Sequence, residues 1–287
     1  MMSVTGGNEN DPPVTRHDKR GKLILSEPED MSKKDLSGSD MRGKDLKGVN
    51  LKEASLIGTN LSGIDLSNAI LSGANLTEAD LSYADLTNVD LSNAILTGAN
   101  MKKARLLYAD LENADLRNVI LSYADLRCID LEGKDLNGSD LTHADLSRAN
   151  LKDANLSYSD LSYADLNKAD LNRANLSNAL LTESNLSGAN MTEADLSKTW
   201  ISKARLCHAN LTGADLSYGD LSNANLSDAN LNNSDLSYAN LTGADLSLTN
   251  IEGANFTGAN LNNVDLSKTD LSKADLTRAN MKGATGV

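Results

Sequence analysis

The chain has 287 residues, a formal net charge of −13, one Trp, one Phe, three Pro and two Cys. So few large apolar side chains cannot fill an ordinary globular core, which excludes a compact domain built on aromatic packing. The acidic balance repels phosphate backbones and lipid head groups, so it disfavours direct nucleic-acid or membrane binding and favours solubility or basic partners.

Residues 1–30 read as an irregular tail. Gly6-Gly7, Pro12-Pro13 and Pro28 stand in a mixed-charge setting with one short apolar run, Leu23-Ile24-Leu25. This composition buries too little surface to offset chain entropy, so disorder is expected up to residue 22. The apolar run is expected either to lay a strand over an open coil edge or to act as a linker with no further role. Nothing near the N-terminus has the length of a signal peptide or a membrane span, and a cytoplasmic location is expected.

Residues 31–287 form one repeat domain. Leu, Met, Ile or Phe occupies every fifth position from Leu36 to Met281, preceded in most copies by a small residue and Asp or Asn. Ala74-Asn75-Leu76-Thr77-Glu78 and Ala79-Asp80-Leu81-Ser82-Tyr83 are consecutive copies. Internal repetition has to be read before domains are counted. A period of five matches neither the alternation of a strand nor the 3.6 spacing of a helix, and frequent Asn, Asp, Ser and Gly oppose both. The chain must therefore turn every five residues, with Leu and the Ala two residues before it pointing inward and the other three positions facing water. That pattern describes a coiled parallel β-solenoid, whose coils touch mainly their neighbours.

The motif Ala-(Asp/Asn)-Leu-x-x, repeated over residues 35–285, resembles the pentapeptide-repeat family. The resemblance implies an all-β fold, a right-handed quadrilateral parallel β-helix with four repeats per coil. At roughly 4.8 Å per coil, about 12 coils would make a rod of roughly 60 Å. Its interior would be filled by Leu and Ala, leaving no cavity for a substrate.

Departures from the motif mark where to look for function. Lys44 and Lys134 occupy inward Ala positions, where an unpaired ammonium would have to snorkel outward or pair with an Asp. Ile129, Lys134 and Ser139 make residues 128–140 the least regular part of the middle, through either a tolerated irregularity or a bend. The position before Leu is Asp or Asn in 42 of fifty copies, and the larger departures include Arg105, Ile120, Leu180, Trp200 and Arg205. With twenty residues per coil, Ile120, Leu180 and Trp200 fall on one side together with Tyr83, Tyr123 and Tyr163. Arg105, Tyr108 and Arg205 fall on the adjoining side. Exposed Trp, Tyr and Arg are enriched in binding hot spots, so these nine residues form the candidate protein-binding strip; drift at tolerant surface positions is the bland alternative.

No catalytic constellation is expected. His143 and His208 are placed on the outer wall and His17 in the tail, without a pocket to hold an acid–base pair. Cys128 and Cys207 are predicted several coils apart, beyond disulfide reach, and so read as free thiols. No metal or cofactor is expected, because regularly spaced carboxylates on a wall serve to cap turn amides. Three functions stay open: a rigid protein-interaction scaffold with an unknown protein partner, a purely structural module, and a DNA mimic. The last follows the resemblance, since some family members imitate duplex DNA and regulate a type II topoisomerase such as DNA gyrase. An end-to-end homodimer through the C-terminal coil is also expected.

Overall fold

The computed structural model describes Arg16–His17, Leu23–Ile24 and residues 30–286. Parallel single-residue bridges join positions twenty apart along the repeat, from Asp30 with Asn50 to Asp265 with Thr285. A turn closes every five residues, so each coil has four sides.

Why five residues suffice for a side becomes clear when the amides of one copy are followed. Leu81 N–H donates to Asn100 O of the next coil (2.7 Å), Tyr83 N–H to Lys102 O (2.8 Å), and Asp85 N–H to Ile64 O of the previous coil (2.9 Å). Ala84 N–H closes the turn on Leu81 O (3.1 Å). Only the amide after Leu lacks a backbone partner, and Ser82 N–H finds it in Asp80 Oδ1 at 3.0 Å. The Asp or Asn before Leu is therefore a turn cap that completes the polar accounting of each copy. The same bond recurs at Asn75, Asp140, Asp195 and Asn240.

The turn also fixes the backbone of the second residue after Leu. This position lies in the left-handed region at Tyr83, Lys103, Tyr123, His143 and Lys198, among many others, with φ near 60°. Fifteen of the chain's 20 glycines stand at this phase, where they adopt the conformation without the Cβ penalty that other residues carry.

The axis is solid. Leu at the fifth position and Ala two residues earlier are buried from Leu46 to Leu266, except the half-buried Ala109, with Phe256, Met101, Met191, Ile201 and Ile251 substituting for Leu. Where Ser replaces the inward Ala at positions 39, 159, 184 and 234, its hydroxyl turns back to the chain, as Ser159 Oγ does by donating to Leu156 O at 2.6 Å, whereas the buried Ser139 Oγ has no partner. Toward the C-terminal end Leu271, Leu276 and Met281 are only half-buried. There a short 3-10 turn, Leu271–Lys273, replaces the usual one.

Two irregularities fall where inward lysines were found. Lys44 is exposed, and the bridge expected between Asp45 and Asp65 is absent among the described residues. Lys134 is half-buried beside a break in the ladder that involves both its own coil and the coil before it, a wider disturbance than residues 128–140 alone suggest. In the tail, Arg16–His17 and Leu23–Ile24 pair antiparallel, with Arg16 opposite Ile24. The apolar run thus finds a partner inside the stretch expected to be irregular, and the rest of that stretch lies outside the described residues.

Candidate interaction surface

The bridges place Ile120, Asp140, Asp160, Leu180 and Trp200 in one column on one wall. Trp200 is 58% exposed, and Leu180, directly beneath it, is exposed as well. The expected strip is therefore not continuous along this column, because Asp140 and Asp160 separate Ile120 from Leu180.

The corner beside that column closes the gap. Tyr123, His143 and Tyr163 stand on successive coils with ring centroids 4.5 and 4.8 Å apart and planes within 11° of parallel. Lys103 continues the ladder: its Nζ lies 5.0 Å from the Tyr83 ring centre and 5.7 Å from that of Tyr123. Coil spacing sets ring spacing, so residues twenty apart at the left-handed turn position stack face to face. The sequence pointed to the three tyrosines; it read His143 only as an outer-wall histidine and did not bring Lys103 into the group.

The opposite edge of the same wall carries a second set that the strip did not include. Tyr158, Tyr218 and Tyr238 share one corner, and the Tyr218 and Tyr238 rings stack at 5.1 Å. Six of the chain's seven tyrosines therefore border the wall that carries its single Trp. The available signal was the residue number modulo twenty, which puts 158, 218 and 238 in one column.

The remaining candidates occupy the adjoining wall. Arg105 reaches Asp85 of the previous coil, Nη1 to Oδ2 at 3.2 Å, and is tied to the wall. Tyr108 projects into solvent at 79% exposure. It lines an open groove of about 600 Å³ together with Leu107, Arg127, Cys128 and Arg148. Arg205 is exposed five coils farther along, so it does not join Arg105 and Tyr108 in one site. Cys128 and Cys207 are free. Among the described residues, no group of three or more His, Cys, Asp or Glu is arranged to hold a metal ion.

Arginines next to the caps perturb some carboxylates. Arg117 binds Asp115 through Nε at 2.9 Å and Nη2 at 2.6 Å, and these bonds lower the Asp115 pKa to about 2. Arg42 does the same to Asp40, also to about 2. Both are structural pairings on an open wall.

The pentapeptide repeats family description matches in overlapping segments from residue 35 to residue 285, with one segment ending at 133 and the next beginning at 135. The chain belongs to the pentapeptide-repeat family. Its fold is accordingly the family's right-handed quadrilateral β-helix. One-residue interruptions in the family match fall on Lys134 and on Leu248. Among solved structures, this pentapeptide-repeat chain is similar to HetL, involved in heterocyst differentiation regulation in the cyanobacterium Nostoc sp. strain PCC 7120. Identity is 33% over 78% of this chain and 87% of HetL, with a TM-score of 0.26. It is also similar to full-length QnrB1, a plasmid-mediated fluoroquinolone resistance protein, at 21% identity over 68% of this chain and 90% of that one, with a TM-score of 0.34. A third likeness is to a pentapeptide repeat protein of the Arabidopsis thaliana thylakoid lumen, at 30% identity over 47% of this chain and 69% of that one, with a TM-score of 0.21. No curated protein matches. Among the described residues, no helix is long and apolar enough to cross a membrane.

Proposed function

We propose that the protein is a non-enzymatic interaction scaffold, a rod that docks a protein partner on the wall carrying Leu180 and Trp200 between its two tyrosine corners. The observation that carries this reading is the missing caps. At Leu180 and Trp200, two successive coils give up the Asp or Asn that caps the turn, so Thr182 N–H and Ser202 N–H lack the usual side-chain acceptor. Each lost cap costs about 1 kcal/mol, and a large apolar side chain faces water in its place. Asn at either site would serve the fold better, so what these side chains contribute lies outside the fold. Trp and Tyr are also the residue types enriched at the centres of protein interfaces.

DNA mimicry has less in its favour. Net charge of −13 over roughly 60 Å gives one charge per about 4.6 Å, against one per about 1.7 Å in duplex DNA. Asn also alternates with Asp along the walls, as where Asn190 Nδ2 donates to Asp170 Oδ1 at 2.8 Å, which dilutes the charge further.

Affinity capture from the source cells tests the scaffold reading. The wild-type rod is expected to retain a discrete partner that the Leu180→Ala, Trp200→Ala double variant retains at least about tenfold less, the effect of about 1.4 kcal/mol. Equal capture by both would remove this wall from consideration.

A further inference from the structure

One pair of coils is joined on only half of its circumference. Between the coil of residues 105–124 and that of 125–144, the ladder begins normally: Asp125 N–H donates to Ala104 O (2.9 Å) and Leu106 N–H to Asp125 O (3.0 Å). It resumes at Asp140 N–H to Val119 O (3.2 Å) and Leu121 N–H to Asp140 O (2.7 Å). In between, from 108–118 on one lip and 127–137 on the other, no backbone hydrogen bond crosses, and the bridges of Asp110 with Asp130 and Asp115 with Asp135 are missing. Each lip is nevertheless fully bonded on its far side, as Leu91 N–H to Asp110 O (2.8 Å) and Leu131 N–H to Asn150 O (2.7 Å) show. The break is a seam between two intact bodies.

Its cause lies in the inward positions. The lower lip offers Ala109, Ala114 and Val119; the upper offers Ile129, Lys134 and Ser139. Ile129 stands over the gap, and so does the other inward isoleucine: Ile64 keeps the bond on its upper face, Asp85 N–H to Ile64 O at 2.9 Å, but the bridge on its lower face, between Asp45 and Asp65, is missing. Ile129 and Lys134 together form the wedge, of which the lysine is the charged part. Its ammonium must reach water, and it opens onto a slot of about 270 Å³ bordered by Asp110, Glu112, Asp130 and Glu132. Lys44 and Ile64 stand one coil apart on the two edges of the missing Asp45–Asp65 bridge, so an inward lysine and an inward isoleucine accompany the gap in both places.

The opposite half of the circumference holds. The bridges of Arg105 with Asp125 and Ile120 with Asp140 persist there, and the Tyr123 and His143 rings stack across the same coil boundary at 4.5 Å.

We propose that this seam is a hinge: the rod consists of two stiff segments that pivot about the closed half, along the line marked by the Arg105 and Ile120 bridges. About 3 Å of further opening across a section about 10 Å thick would turn one segment by roughly 15°. Opening on the far walls makes the near walls concave. The near walls are those bearing Tyr123, Leu180 and Trp200, so the hinge sets the curvature of the candidate surface. The hinge itself stands whether or not a partner docks there.

Spin-label distance measurement tests it in the full chain with Cys128→Ser and Cys207→Ser. An Asn93→Cys, Asn233→Cys pair spans the seam on its opening side at roughly 34 Å, and an Asn178→Cys, Arg278→Cys pair lies wholly in one segment at roughly 24 Å. The seam-spanning distribution is expected to be several ångströms broader than the control, and to narrow to the control width when Ile129→Ala and Lys134→Ala are added. Equal widths in the unaltered seam, or no narrowing in the filled one, would overturn the hinge. Amide exchange on the wild-type chain gives an independent readout. Leu111, Asn113 and Leu116 should exchange at least about a hundredfold faster than Leu131 and Leu151; protection equal to theirs would also overturn it.

Discussion

Leu211→Ala and Leu111→Ala are the same chemical change in two different settings. Leu211 is fully buried, and its coil is bonded on both faces, with Leu211 N–H to Asn230 O at 2.7 Å and Asn210 N–H to Ala189 O at 2.9 Å. Walls held on both sides cannot close over a void, so the loss should combine the transfer of three carbons, about 2.4 kcal/mol, with a cavity penalty, for a total of about 4 kcal/mol. Leu111 is buried as well, but it lies on the seam, where its own N–H crosses to no partner and its side chain borders the slot of about 270 Å³. There the transfer cost alone should apply, about 2.4 kcal/mol. Urea unfolding followed by far-ultraviolet circular dichroism measures both. Equal losses, or a loss below about 1 kcal/mol at Leu211, would refute the reasoning that coil bonding keeps the core from relaxing.

The turn and the caps give further tests. Lys198 is exposed with φ at 58°, so Lys198→Gly should raise stability by about 1 kcal/mol and Lys198→Val should lower it by at least as much in the same unfolding assay. Asp115 is held at a pKa of about 2 by Arg117, below its ordinary 3.8. A depressed carboxyl stabilises the fold above its unfolded pKa, and that contribution fades as pH falls from about 4 toward 2. The thermal midpoint should therefore drop over this window, and drop less steeply in Asp115→Asn.

Much of the fold was legible because one residue type does one job in every copy. The five-residue spacing of Leu, the inward Ala and the capping Asp or Asn each state a local requirement that the coil repeats. The left-handed turn was equally present, since glycines crowd one phase, yet it is hidden wherever Tyr, Lys or Asn stands at that phase. The surface was less legible. Tyr123 and Tyr163 were visible as exposed aromatics, but the part played by His143 appears only when rings twenty residues apart are set at coil spacing. Tyr158, Tyr218 and Tyr238 belong to the Trp200 wall through the corner that precedes it, a neighbour relation that a linear repeat does not display. The seam was half visible: Ile129, Lys134 and Ser139 mark the upper lip, whereas Ala109 and Ala114 on the lower lip are ordinary copies that lose their bonds to a neighbour's misfit.

Photocrosslinking from the wall itself tests the central claim most directly. A photoreactive amino acid placed at Leu180 should yield a discrete adduct in the source cells, and the same group at Asn190, on the opposite wall of the same coil, should not. Adducts of equal yield from both walls, or from Asn190 alone, would contradict docking on the tryptophan wall.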